Sequence, residues 1–402
     1  MQHAVFDFNT HDKANLSCVI NLPVNDFSNA QKCPILHSMM RKTLSLLDEN
    51  KDQRPGPFDP DPEAEQDLWF LPQAVGSDEG DLLRGLNAGR QRLFDPSQWH
   101  AAQDRHSGAL ADLSALFGAL DERLSTGSEG WRQRLALLEV TDLGWWTGNR
   151  IPMDQVALWV GLRLGATGED AQAVIRAGWA VRRLTAGPAP DEGGWEAGLT
   201  AFLGRGEPGT DVPETIADLA EIMEKVGRLH AVTQAAILFH GWRMLTGEKA
   251  GQEPVGQGAA ADVEAAVLAA RHAAGAGRGS ALFLPLALTG PGALRATGTE
   301  EQRLRAWIAG ATQATLAALL HLDRLRDWQV RTAAATADLS GRTPPTLIAA
   351  LAAWPMVSAP LAEELTGASR AAVQRNLDTF AARSLIREVT GQGRFRVWTA
   401  KV

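Results

Sequence analysis

The stretch PMVSAPLAEELTGASRAAVQRNLDTFAARSLIREVTGQGRFRVWTAKV, residues 355–402, carries the densest set of local structural signals in the chain. Ser358 is placed to accept from a backbone N–H one turn on, and Pro360 fits a first turn whose N–H would be unpaired anyway. Glu363 and Glu364 favour the positive end of a helix. The pattern predicts a short helix over Val357 to Leu365, with Leu361 and Leu365 as its buried edge. Thr366 and Gly367 end it, because glycine takes a left-handed cap without strain. Ser369 caps again and opens a second helix, Arg370 to Arg383, in which Val373, Leu377 and Phe380 form one apolar stripe.

Beyond Leu385, Ile386 to Val389 and Arg394 to Trp398 alternate as strands do, around the turn Thr390-Gly391-Gln392-Gly393. In the second strand Phe395 and Val397 are expected on the inner side, Arg394 and Arg396 on the outer. Helix, tight turn, helix and β-ribbon in this order predict a winged helix-turn-helix. Its second helix turns Arg370, Gln374 and Arg375 away from the stripe, side chains that bond base edges or phosphates. The candidate DNA-contacting residues are Ser369, Arg370, Gln374, Arg375, Arg394 and Arg396. The competing reading of the same segment is a protein–protein module or a purely structural cap.

Charge separates this segment from the rest. Residues 355–402 hold seven Lys and Arg against four Asp and Glu, a balance of +3 within a whole-chain net of −8, which leaves −11 elsewhere. An acidic body with a basic terminal module confines the expected contact with double-stranded DNA to that module.

The remaining sequence predicts a mainly α protein. Amphipathic stretches at Leu82 to Leu93, Ser107 to Leu124, Trp131 to Asp142, Met153 to Leu164 and Asp170 to Leu184 show helical spacing, without alternating strands. A second helical group runs from Pro213 through Leu245, resumes over Ala259 to Ala274, passes the apolar run Leu282 to Leu288, and ends in Glu300 to Arg331. Ser340 to Pro345 is expected as a linker, followed by a helix over Thr346 to Ala353. The expected organisation is a mobile amino-terminal segment and linker over 1–65, a helical array over 66–210, a second helical subdomain over 211–340, and the winged helix-turn-helix over 341–402. The first segment differs in kind: six of nine Asn and four of seven Lys fall in positions 1–51, Leu36 to Leu47 suits one helix, and Asn50 to Glu65 is charged and proline-rich.

Chemistry-bearing motifs are sparse. Cys18 and Cys33 are the two cysteines, too few for a disulfide framework or a four-thiolate zinc site. His230 and His240, ten apart, would sit about 15 Å apart along one helix and cannot share a metal. His272 and His321 add nothing at ligand spacing. Gly275-Ala276-Gly277-Arg278-Gly279-Ser280 has the composition of an anion-cradling loop, but lacks the lysine and preceding strand of a nucleotide site, so a plain connection is expected. Trp145-Trp146 beside Gly148-Asn149-Arg150 is expected to anchor the core, with base stacking as the alternative. No Gly-x-Ser-x-Gly or His-Glu-x-x-His element is present. The expectation is no catalytic residue, no cofactor and no metal. Without a secretory signal or an apolar run of bilayer length, a cytoplasmic protein is expected.

Two resemblances accompany these readings. The segment Val357-Ser358-Ala359-Pro360, together with Arg387-Glu388-Val389-Thr390-Gly391-Gln392-Gly393-Arg394-Phe395-Arg396-Val397-Trp398, resembles the helix-turn-helix that closes a group of uncharacterised proteins of rhizobia and related bacteria. It covers about an eighth of the chain and implies a DNA-binding terminal domain. The layout of a helical body with Leu284-Pro285-Leu286 before Trp307-Ile308, then a terminal winged helix, is similar to Fic-type proteins, which transfer nucleotide monophosphates to protein hydroxyls. That resemblance implies an active loop with His-Pro-Phe and Gly-Asn-Gly-Arg, whereas Phe239-His240-Gly241-Trp242-Arg243 keeps neither, so it implies lost transferase activity.

The first expectation is therefore a transcriptional regulator whose body dimerises or senses a ligand, since a homodimer doubles the site that one winged helix reads. The alternatives are a Fic-type transferase or its inactive relative, and a non-catalytic interaction protein of a mobile-element system.

Overall fold

A computed structural model of the chain describes residues 94–162, 171–205, 213–250, 257–391 and 396–402. These belong to one unit, Gly80–Val402. The expected amino-terminal segment, the helices over Leu36 to Leu47 and Leu82 to Leu93, both cysteines and Arg394 lie outside the described residues. The fold is mainly α. Among the described residues ten α-helices precede the terminal segment: α1 (Pro96–Arg105), α2 (Ser107–Ser125), α3 (Glu129–Trp146), α4 (Met153–Leu162), α5 (Ala171–Thr185), α6 (Trp195–Leu203), α7 (Glu214–Lys225), α8 (Ala231–Ala250), α9 (Gln257–Ala273) and α10 (Glu300–Ala335). Three more helices and three short strands follow: α11 (Thr343–Ala353), β1 (Val357–Ser358), α12 (Ala359–Thr366), α13 (Arg370–Ala382), β2 (Ile386–Glu388) and β3 (Val397–Ala400).

Several boundaries differ from the pattern in the sequence. The run after Pro213 is two helices, because the backbone turns over Val226 to His230 and the His230 ring accepts from the Val232 N–H at the start of α8. Pro344 and Pro345 are not linker. They occupy the first turn of α11, where a missing N–H costs nothing.

One apolar core runs from Trp99 to Leu322 through both helical segments that the sequence sets apart. A second gathers Leu325 and Trp328 with Leu347, Leu351, Val357, Val373, Leu377, Phe380 and Trp398. Helix α10 serves both. It starts in a capping box, with Thr299 and Gln302 exchanging bonds and Glu300 and Glu301 at its positive end. Thirty-six residues make it about 54 Å long. Leu304, Trp307, Ala311, Ala318 and Leu322 enter the first core, Leu325 and Trp328 the second. Truncating a tryptophan buried like Trp328 costs about 3–5 kcal/mol, and its indole N–H also donates to the Leu385 carbonyl at 2.9 Å.

The stretch between α9 and α10 is irregular, yet most of its apolar residues are buried. Five of its amides are met by two buried carboxylates. Asp121 accepts from Arg278 and Ala281. Glu139 accepts from Leu286 and Ala287 at 2.8 Å and from Leu288 at 3.1 Å. Burial pushes the Glu139 carboxyl up to about 7, outweighing the amide bonds that favour its anion. Since the folded value lies above the ordinary 4.5, the stability linked to this group is full below about pH 4.5 and falls as pH rises through about 7. Relative to Glu139→Gln, the wild type should lose about 3 kcal/mol between these limits. Urea unfolding of both proteins from pH 4.5 to 7.5 checks this, and parallel profiles would contradict it.

Candidate nucleic-acid interface

The carboxyl-terminal elements form a three-helix unit with an antiparallel sheet of order β1-β3-β2. The caps fall where the sequence places them. Ser358 accepts from Leu361 N–H, Gly367 closes α12 in the left-handed region at φ 63°, and Ser369 accepts from Ala372 N–H. Val373, Leu377 and Phe380 are fully buried, so α13 turns its stripe inward.

Two details correct the sequence pattern. Val357 and Ser358 pair with Trp398 and Val397 as strand β1, so the first helix begins at Ala359. Its buried residue is Ala362, while Leu365 is exposed. Among the described residues the second strand is Val397–Ala400, beginning after Arg396 and running past Trp398, while Arg394 and Phe395 lie outside them. It is central in the sheet and buried on both faces: Trp398 and Ala400 enter the second core, and Val397 and Thr399 are buried on the other side. The expected alternation therefore inverts. Val397 faces away from that core, and Arg396 lies over the Trp398 ring at 5.0 Å.

Arg396 is accordingly not a free cation on the outer side. Its Nε donates to Glu388 at 2.8 Å, and a second nitrogen reaches Asp378 of α13 at 3.4 Å. These partners raise its pKa, the hydrogen bond to Glu388 most. Gln374 lies along the helix surface, donating to the exposed Asp378 at 2.9 Å. The Ser369 hydroxyl is engaged as the cap.

Arg370 and Arg375 remain outward. The Arg370 side chain is 81% exposed, with Glu363 at 3.9 Å as a loose neighbour. Arg375 is exposed and its guanidinium has no ion pair or hydrogen bond among the described residues.

The body contributes one contact that no linear motif announces. Asp154, in the first turn of α4, pairs with Arg387 of β2 at 2.7 Å. Deeper in the same junction the buried Arg134 guanidinium donates to the carbonyls of Leu351 and Trp354, and the Trp131 indole to that of Ala352. Burial lowers the Arg134 pKa to about 10. Gly130 lies so close that a Cβ there would run into the Ala353 carbonyl. The paired tryptophans divide: Trp146 packs on Phe239 at 6.0 Å, whereas Trp145 is 57% exposed beneath Arg150.

The other sequence candidates settle inside the fold. His240 is buried against the rings of Phe239 and Trp307, and desolvation, then Arg303 and Arg243, lowers its pKa to about 3. An imidazole so enclosed and neutral has no open face for a phosphate. In the Gly275 to Ser280 loop, the Arg278 amide is spent on Asp121. His272 lies between Gln234 at 3.0 Å and Asp191 at 3.5 Å. Among the described residues no group of three His, Cys, Asp or Glu stands ready to hold a metal, and no helix is long and apolar enough to cross a membrane. No protein-family model matches the chain, and no curated protein sequence matches it.

The placement of Arg396 predicts a structural phenotype. Arg396→Ala removes the stack on Trp398 and unpairs Glu388 and Asp378, a loss of about 1 kcal/mol for a partly exposed network. Urea denaturation followed by tryptophan fluorescence measures it. An unchanged midpoint would mean the network contributes nothing.

Proposed function

We propose that this chain is a double-stranded DNA-binding protein, a transcriptional regulator, whose terminal module is a winged helix-turn-helix with α13 as recognition helix. The observation that carries the reading is the succession α11, β1, α12, α13, β2, β3, with Arg370 and Arg375 turned to solvent on the amino-terminal half of α13. In such modules the second helix of the turn lies in the major groove and its first residues meet base edges. Two guanidinium groups at that end supply bidentate donors for guanine or for phosphate. The ribbon contributes less than its composition implies, since Arg396 and Arg387 are held by carboxylates.

The module is attached through Trp328, Arg134 and the Asp154–Arg387 pair, so the body and α13 are coupled. An event in the body that moves α10 or α4 would reach the recognition helix through these contacts, as a regulator requires.

Mobility-shift titration of the full chain against DNA from its own locus tests the reading. Binding should weaken steeply with salt, since each neutralised phosphate contributes about 0.9 to the logarithmic slope. Arg370→Ala combined with Arg375→Ala should weaken binding at least about tenfold and reduce that slope by up to about 2. No salt-sensitive shift, or full binding by the double variant, would overturn the assignment and leave a protein-binding module as the better account.

A further inference from the structure

We infer that α10 is also a self-association surface, on which two copies of this chain pair antiparallel about a two-fold axis at Leu316. Seven large apolar side chains are exposed among the described residues, and three of them, Leu316, Leu320 and Val330, lie on this one helix. At 100° per residue these three fall within an arc of about 80° on its outward side. They form a stripe, with Ala309 exposed on the same arc.

Charge selects the occupant. Arg305 stands eleven residues before Leu316 and Asp327 eleven residues after it. Eleven residues are close to three full turns, a drift of about 20°, so all three side chains share the outward face. Both charged residues are exposed, and neither has an ion-pair partner among the described residues. The neighbouring Asp323, by contrast, is engaged by Arg123 at 2.7 Å. A two-fold axis at Leu316 sets Leu316 against its own copy. It also brings Arg305 opposite the partner's Asp327, twice. An isologous contact of this kind is self-complementary, and an unpaired cation and an unpaired anion equidistant from an exposed leucine satisfy that condition for Leu316 and the two charges, while Val330 falls opposite the partner's exposed Gln302.

The pairing is expected to be weak. One helical stripe offers less than the roughly 800 Å² per partner of a standard interface, so dissociation is expected in the micromolar range. It also has a consequence for the module. Trp328, where the module attaches, is twelve residues from the axis, so the two attachment points would lie about 36 Å apart along the paired helices, of the order of the spacing of about 34–36 Å between half-sites one DNA turn apart. That consequence alone rests on the DNA-binding reading.

Sedimentation equilibrium of the full chain over about 1 to 100 µM tests the surface. The wild type should show a monomer–dimer equilibrium, and Leu316→Glu should raise the dissociation constant at least about tenfold. Arg305→Asp and Asp327→Arg should each do the same by opposing like charges, and the two together should restore association to within about threefold of wild type. All positions are exposed, and restoration in the double variant shows that the single variants are folded. A wild-type monomer at 100 µM, indifference to Leu316→Glu, or failure of the charge exchange to restore the dimer would each overturn the inference. A dimer that ignores DNA would leave it standing, while a monomer that binds DNA would sink it and spare the functional reading.

Discussion

Everything in the carboxyl-terminal half hangs on a single helix that belongs to two cores at once. Helix α10 is buried by the body over Leu304 to Leu322 and by the terminal unit over Leu325 and Trp328, with no break between. An uninterrupted α-helix transmits position because bending it means losing backbone hydrogen bonds, and this one has neither proline nor a gap in its pattern to invite a kink. The terminal unit is therefore not a bead on a tether. Its orientation is set by the same element that closes the body.

The junction around α11 adds polar specificity to that apolar continuity. The last carbonyls of a helix have no partner of their own, and those of α11 at its end are met by Arg134 and Trp131 from α3. A buried guanidinium is costly unless its donors are used; here one terminal nitrogen of Arg134 serves two carbonyls at the helix end, while its buried Nε has no partner among the described residues. Asp121 and Glu139 do the complementary work for the stretch between α9 and α10, where amides without secondary-structure partners would otherwise be buried bare. A carboxylate from a helix thus substitutes for a strand, and an anion-cradling composition in the chain binds the protein's own Asp121.

How much of this the sequence discloses follows the range of the interactions. Caps are local: Ser358, Gly367 and Ser369 declare themselves within four residues, and the structure puts each at the helix end that its chemistry favours. So does the stripe of Val373, Leu377 and Phe380. The ribbon register is not local. Alternation around Arg394 to Trp398 fits either face inward, and the choice was made by Trp398 entering a core built from α10 and α11, and by Asp378 on α13 accepting Arg396. Two prolines in sequence likewise look like a break until a helix start is known to lie there. The Asp154–Arg387 pair joins positions more than 200 residues apart, and no spacing rule reaches that far.

The distribution of arginines then narrows what the terminal unit can offer a polyanion. Arg383, Arg387 and Arg396 are each matched to a carboxylate, Asp338, Asp154 and Glu388, so a net charge of +3 overstates the free positive field. A cation already paired must exchange one anion for another on binding phosphate, and the gain is the difference, not the sum. Arg370 and Arg375 carry no such debt of close pairing, and they stand on a helix whose axis is fixed through α10. If the unit binds DNA as proposed, affinity from so few free cations would be modest, and two modules held at a set spacing would multiply it by making the second contact intramolecular. On the proposed pairing, the sparse charge of one module and the exposed apolar residues of α10 would be complementary features of the same helix-anchored unit.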